Sequence, residues 1–162
     1  ECCRKVAERY PEVEFDELIV DSAAAALVMK PQKFDVLVTT NMFGDILSDL
    51  TSGLVGGLGM APGLSIGSQY SMAQATHGSA PDIAGKQLAN PYAMIMSSKM
   101  LFEWLAIKYS DKSLLKASRL IEDAVSEVIL QGVTTPDMGG NSTTLEMKDA
   151  ICRLLKNKLP VS

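Results

Sequence analysis

Asp45 and Asp49 stand four residues apart in Gly44-Asp45-Ile46-Leu47-Ser48-Asp49. On a helix that spacing sets two carboxylates one turn apart on a single face. Two oxygens so placed suit a hard divalent cation, which takes carboxylate and water ligands and completes its shell with substrate. The competing assignment is structural: Asp45 caps a helix, and Asp49 merely favours the positive end of its dipole. Position separates the two. The preceding run, Phe34 to Thr40, is β-branched and reads as a buried strand, so both acids fall at the carboxyl edge of a sheet, where open α/β folds bind ligands. Asp21 stands in the same relation to the apolar run Phe15 to Val20. Three acids at two strand ends favour a metal site over three caps.

A second segment, His77-Gly78-Ser79-Ala80-Pro81-Asp82-Ile83, has the small residues that let a backbone approach a nucleotide. It adds an imidazole that can stack or donate and a carboxylate that can accept from sugar hydroxyls. A lone loop histidine is more often structural, so this segment alone decides nothing.

The elements that must position these residues follow from pattern. The chain to Tyr10 reads as the end of a helix stopped by Pro11. A strand over Phe15 to Val20 leads to an alanine-rich helix capped by Asp21 or Ser22 and running to about Met29. The strand over Phe34 to Thr40 leads to a helix starting near Gly44. Strands separated by helices of this length imply parallel pairing with crossovers, hence an α/β chain. Six glycines between Gly53 and Gly67 mark a domain crossover or hinge, or close helix packing. A strand is expected over about Met72 to Thr76. Asn90-Pro91 has cap and first-turn chemistry for a long helix to about Lys108. Leu114, Ala117, Ile121, Ala124 and Val128 form one helical stripe before Gly132. Thr143-Thr144-Leu145-Glu146 is a capping box opening a last helix with Ala150, Ile151, Leu154 and Leu155 on its apolar face. The nine methionines and Trp104 read as ordinary core residues.

Composition excludes more than it assigns. The 162 residues carry a net charge of -4 with scattered lysines, which argues against nucleic acid as a partner, since counterion release needs a clustered basic patch. Cys2 and Cys3 are neighbours and Cys152 is remote, so reduced thiols in a cytosol-like compartment are expected. No apolar run approaches the roughly 20 residues of a membrane span, so no membrane partner is expected. The chain begins at Glu1 without a methionine, as a piece of something longer would.

Asn41 to Asp49, Gly56-Gly57-Leu58-Gly59-Met60-Ala61-Pro62, and His77 through Pro91 together resemble the isocitrate and isopropylmalate dehydrogenase family of metal-dependent β-decarboxylating dehydrogenases. The resemblance covers nearly the whole chain and corresponds to the C-terminal half of such an enzyme. It implies that the residues matching Asp45 and Asp49 bind Mg²⁺ or Mn²⁺ in their own subunit, while the one matching Asp21 reaches into the site of a dimer partner. It also implies that His77, Gly78, Ser79, Ala80, Asp82 and Ile83, with Ala89 and Asn90, hold the adenosine part of the cofactor. Residues 1–54 would belong to the smaller, dimer-forming domain, and residues 55–162 would complete the larger, cofactor-binding domain, within a mixed parallel sheet.

Asp82 can accept from both ribose hydroxyls but would repel a 2′-phosphate, and Ile83 offers no compensating charge. NADP-using family members resemble Lys-Tyr at these positions, so NAD is the expected cofactor. The implied reaction is oxidative decarboxylation of a (2R)-hydroxy di- or tricarboxylic acid. The run Ser52 to Gly59 looks closest to isocitrate or homoisocitrate enzymes, and isocitrate is favoured over isopropylmalate and tartrate or malate. The proton-transferring lysine and tyrosine and the substrate-gripping arginines fall before the matching region, so the chain alone is expected to be inactive. Two departures stand out: Pro62-Gly63-Leu64-Ser65 replaces the common Pro-Ser-Ala-Asn, and Gln74-Ala75-Thr76 lacks the usual acidic residue. A homodimer or higher oligomer in the cytoplasm, or in the mitochondrial matrix of a eukaryote, follows from the same resemblance. A non-catalytic regulatory subunit is disfavoured by the retention of all three acids, and a plain α/β interaction domain, which would leave the acids as caps, is disfavoured further.

Overall fold

The computed structural model describes residues 1–158, which divide into two compact units, one of Glu1–Thr51 and one beginning at Ser52. The first unit contains α1 (Cys2–Ala7), α2 (Val20–Met29), a 3₁₀ turn at Pro31–Lys33 and most of α3 (Asn41–Leu54). Ile19 enters α2 with extended backbone, and Ala23 and Leu27, one turn apart, are buried. Asp21 does not cap α2. It lies in the first turn, where its Oδ1 accepts from the Ser22 N–H at 2.6 Å.

The two strands expected in this unit do not form among the described residues. Val20 already belongs to α2, and the runs 13–19 and 34–40 have no ladder partner. A strand is stable only when neighbours take its backbone groups, and parallel neighbours must be delivered by crossovers. Without them the apolar side chains stay in water, with Val36 81% and Val38 77% exposed. The expected parallel pairing is therefore absent from this chain's described residues. Helix α3 also starts three residues before Gly44, and the Gly44 N–H already donates to the Thr40 carbonyl at 2.8 Å.

The second unit holds β1 (Pro62–Ile66) and β2 (Ser71–Ala75), an antiparallel pair with Gly63 opposite Gln74 and Ile66 opposite Ser71. Helix α4 (Tyr92–Tyr109) packs on both strands and on α5 (Lys112–Leu130), which packs on α6 (Thr144–Lys158). The core is built from Ala124, Val125 and Val128 of α5 and Met147, Ala150 and Ile151 of α6, with Tyr92, Ile95 and Met96 of α4 packed against it. The expected α5 stripe is thus present and widened by buried Ser118 and Val125. Among the nine methionines Met147 is fully buried, but Met29, Met42, Met72 and Met94 are exposed on faces that no described residue covers.

Caps set the helix ends. Asp111 Oδ1 accepts from the Ser113 hydroxyl at 2.6 Å and its N–H at 2.7 Å, and the Leu114 N–H adds a weaker bond. These bonds hold the Asp111 carboxyl below its ordinary range. At α6 the capping box is complete: Glu146 Oε2 accepts from the Thr143 N–H at 2.7 Å and hydroxyl at 2.9 Å, and the Glu146 N–H donates to Thr143 Oγ1 at 3.2 Å. The Glu146 carboxyl is held low by the Thr143 N–H and then by its hydroxyl. Between α4 and α5, the largely buried Lys99 ammonium bridges Glu103 at 2.9 Å and Glu122 at 3.2 Å.

Candidate functional site

Asp45 and Asp49 both project from the interior of α3, and no acid occupies its first turn. That removes the capping explanation, because only the first turn's N–H groups lack helical partners. Both residues are exposed. Asn41 Nδ2 donates to Asp45 Oδ2 at 3.3 Å, and no hydrogen bond or ion pair engages the Asp49 carboxylate among the described residues. The lone pairs are therefore available on one helix face. The donor set, two hard carboxylates with room for other ligands, fits a divalent cation such as Mg²⁺ or Mn²⁺. Among the described residues no three His, Cys, Asp or Glu side chains gather around one point, so Asp21 is not brought to the Asp45–Asp49 pair within this chain.

The loop after β2 is shaped by backbone. Ala80 has φ +43 and leads into a 3₁₀ turn, Pro81–Ile83, closed by the Ile83 N–H donating to the Ala80 carbonyl at 3.1 Å. Proline at the first position presets that turn. His77, Gly78, Ser79 and Ala80 are all exposed, as is Asp82, while Ile83 is half-buried. His77 Nδ1 lies 2.9 Å from its neighbour's carbonyl at Gly78, which orients the ring. A Cβ at Gly78 would meet nothing within 4 Å, so that glycine leaves open space rather than filling a contact.

The loop's far end is held from two sides. The Thr144 N–H at the head of α6 donates to the Gln87 carbonyl at 2.9 Å, and the Thr144 hydroxyl donates to the Ala89 carbonyl. Asn90 is buried, and its Oδ1 accepts the Tyr92 N–H at 2.9 Å at the start of α4. Asn90 Nδ2 donates to Asp137 Oδ2 at 2.9 Å and approaches Met60 Sδ at 3.4 Å. Asp137 lies in the 3₁₀ turn Pro136–Met138, and its Oδ1 accepts from the hydroxyl of fully buried Thr135 at 2.6 Å.

Sequence reasoning did not single out Asp137, Thr135 or Met60. The available signal was Thr134-Thr135-Pro136-Asp137 ahead of Gly139-Gly140, a turn pattern, but nothing in it names a partner 47 residues away. An open groove of about 600 Å³, lined by Val133, Ser142, Glu146, Asp149, Cys152, Arg153 and Lys156, contains none of the expected site residues. Among the described residues no helix is long and apolar enough to cross a membrane.

This mixed helix and strand architecture is that of isocitrate dehydrogenase-like enzymes. The crystal structure of isocitrate dehydrogenase from Methylococcus capsulatus superposes with a TM-score of 0.86 at 49% identity, over 94% of this chain and 44% of that one. The chain belongs to the isocitrate/isopropylmalate dehydrogenase family, whose model matches residues 1–151. Its relatives include the isocitrate/homoisocitrate dehydrogenase of Thermus thermophilus, 47% identical over 95% of this chain and 44% of the relative. They also include a mitochondrial NAD isocitrate dehydrogenase catalytic subunit of Arabidopsis thaliana, 47% identical over 93% of this chain and 39% of the relative. The chain thus spans less than half the length of these relatives.

Proposed function

We propose that the full-length protein carries out NAD-dependent oxidative decarboxylation of a (2R)-hydroxy acid bearing a second carboxylate, with isocitrate as the substrate and Mg²⁺ or Mn²⁺ as the ion. The observation that carries this reading is the Asp45–Asp49 pair: two unburied carboxylates one turn apart within α3, where neither caps the helix. They hold the ion, and Asp21 of a second subunit completes the set in a dimer. A divalent cation held there supplies Lewis-acid stabilisation of the oxyanion charge that builds during oxidation and again during loss of CO₂.

His77, Gly78, Ser79 and Ala80 let backbone approach the adenosine, with Ala89 and Asn90 on its other side. Asp82 accepts from the ribose hydroxyls. The exposure of Asp82 and the absence of a cation at Ile83 support NAD over NADP, as does likeness to the Arabidopsis NAD isocitrate dehydrogenase subunit. The base and acid of the reaction, a lysine and a tyrosine, lie outside these residues, so this chain by itself binds metal weakly and turns nothing over. The compartment is the cytoplasm or a mitochondrial matrix.

The test is NADH formation by the full-length protein with Mn²⁺ and isocitrate, homoisocitrate or isopropylmalate. Isocitrate is expected to give the highest kcat/KM, and Asp45→Asn or Asp49→Asn to abolish the metal-dependent rate. Replacing Asp82 with Lys together with Ile83 with Tyr should move preference toward NADP. Unchanged cofactor ratios would count against the role of Asp82, and turnover by the isolated chain would count against the missing proton-transfer groups.

A further inference from the structure

We infer that Asp137 is a positioning residue for the nucleotide loop: it fixes the Asn90 amide in one orientation and thereby sets where the Ala89-Asn90 backbone meets the cofactor. The inference rests on the proposed role of residues 77–90 as the cofactor wall and adds a residue from a different part of the chain.

An asparagine amide can be turned end for end, and its surroundings choose the orientation. Here Oδ1 faces the Tyr92 N–H, a donor, and Nδ2 faces the Asp137 carboxylate, an acceptor. The reversed amide would set oxygen against carboxylate and N–H against N–H, two unfavourable contacts at a buried position. Asp137 can impose this choice because it is itself held: the Thr135 hydroxyl donates to its other oxygen at 2.6 Å. Both carboxylate oxygens are thus engaged, although the residue sits at the surface.

The arrangement draws together three segments distant in sequence: the turn Leu58–Met60, the Ala89-Asn90-Pro91 entry to α4, and the turn Pro136–Met138. Gly59 is where they close on one another. A Cβ there would lie 2.8 Å from Asp137 Oδ2 and 3.1 Å from Asn90 Cβ, so only glycine leaves the pair intact. The polar atoms of the Asn90 side chain are all directed to protein groups. Residue 90 therefore acts on a nucleotide through its backbone, and its side chain and Asp137 serve to place that backbone.

The experiment is NAD binding by calorimetry to the full-length protein, with Mn²⁺ binding and a thermal melt measured on the same samples. Asp137→Asn is isosteric but removes the charge: Asn90 Nδ2 keeps at best a neutral acceptor, and only if the new amide turns its NH2 onto the Thr135 hydroxyl. It should weaken NAD by up to about tenfold, roughly what the charge adds to this hydrogen bond, with Mn²⁺ affinity unchanged. Asn90→Asp should do the same by opposing two carboxylates. The double variant, Asn90→Asp with Asp137→Asn, restores a donor facing an acceptor and should recover NAD binding to within about threefold of the unaltered protein. Gly59→Ala, which pushes Asp137 away without altering its charge, should mimic Asp137→Asn. A double variant no better than its weaker parent, or Asp137→Asn binding NAD normally, overturns the inference. Equal losses of NAD and Mn²⁺ binding with a lowered melt also overturn it, by showing a merely structural role. If the unaltered full-length protein binds no dinucleotide, the functional reading itself fails and takes the inference with it.

Discussion

Asp111 and Glu146 each place a carboxylate over the open N–H groups at the head of a helix, and each is held below its ordinary range by the donors it meets. Since folding lowers their pKa values, their contribution is present above the unfolded-chain values, near 3.8 for Asp111 and 4.5 for Glu146. It is lost as pH falls through the depressed folded values. Asp111→Ala should therefore lower the melting midpoint at pH 7, with the gap to the unaltered protein closing as the buffer is taken below pH 3.8. A gap that persists undiminished in acid would assign the effect to something other than the cap. Glu146 was readable from sequence because the capping box is a fixed local spacing. Asp111 is not legible in this way, because a lone acid after a serine has no such signature, nor is Asp137, because its partner is remote in the chain. The shared face of Asp45 and Asp49 was readable for the same local reason: i and i+4 on a helix share a face whatever the rest of the chain does.

At the scale of elements, one buried hydroxyl joins α4 to the β1–β2 pair. Ser97 is fully buried, donates to the Ala93 carbonyl at 2.7 Å and approaches the Gln74 carbonyl at 3.0 Å, and accepts the Gly63 N–H at 3.0 Å. Ser97→Ala takes the hydroxyl away from both the Gly63 N–H and the Gln74 carbonyl at a fully buried position, and the loss of those bonds should cost about 1–3 kcal/mol. A denaturation midpoint unmoved within error would show that water or a shift of β1 replaces it. Gly63 itself permits the junction, since a Cβ there would lie 2.7 Å from the Gln74 carbonyl oxygen across the ladder. Helices α5 and α6 and strand β2 were readable because their apolar residues recur with the period of the element and are buried within the same unit. The runs 15–20 and 34–40 carry equally good β-type residues but are not strands here. A strand is a property of a pair, and composition records only one member of it.

For the molecule as a whole, the first unit leaves Val13, Phe15, Leu18, Ile19, Val36 and Val38 exposed, in a chain that spans less than half of its relatives. In the full-length protein these two runs are expected to become paired strands. Hydrogen exchange should then find the amides of residues 13–19 and 34–40 fast in the isolated chain and protected in the full-length protein, while the α4–α5–α6 core is protected in both. Fast exchange of both runs in the full-length protein would show that they are not buried strands there. The measurement that bears most directly on the central claim is Mn²⁺ titration of the full-length protein, followed by electron paramagnetic resonance, comparing the unaltered protein with Asp45→Asn and Asp49→Asn. About one ion should bind per subunit, with at least about a 100-fold loss of affinity in each variant, beyond what removal of an outer-shell partner costs. Mn²⁺ affinity unchanged in both variants would contradict it.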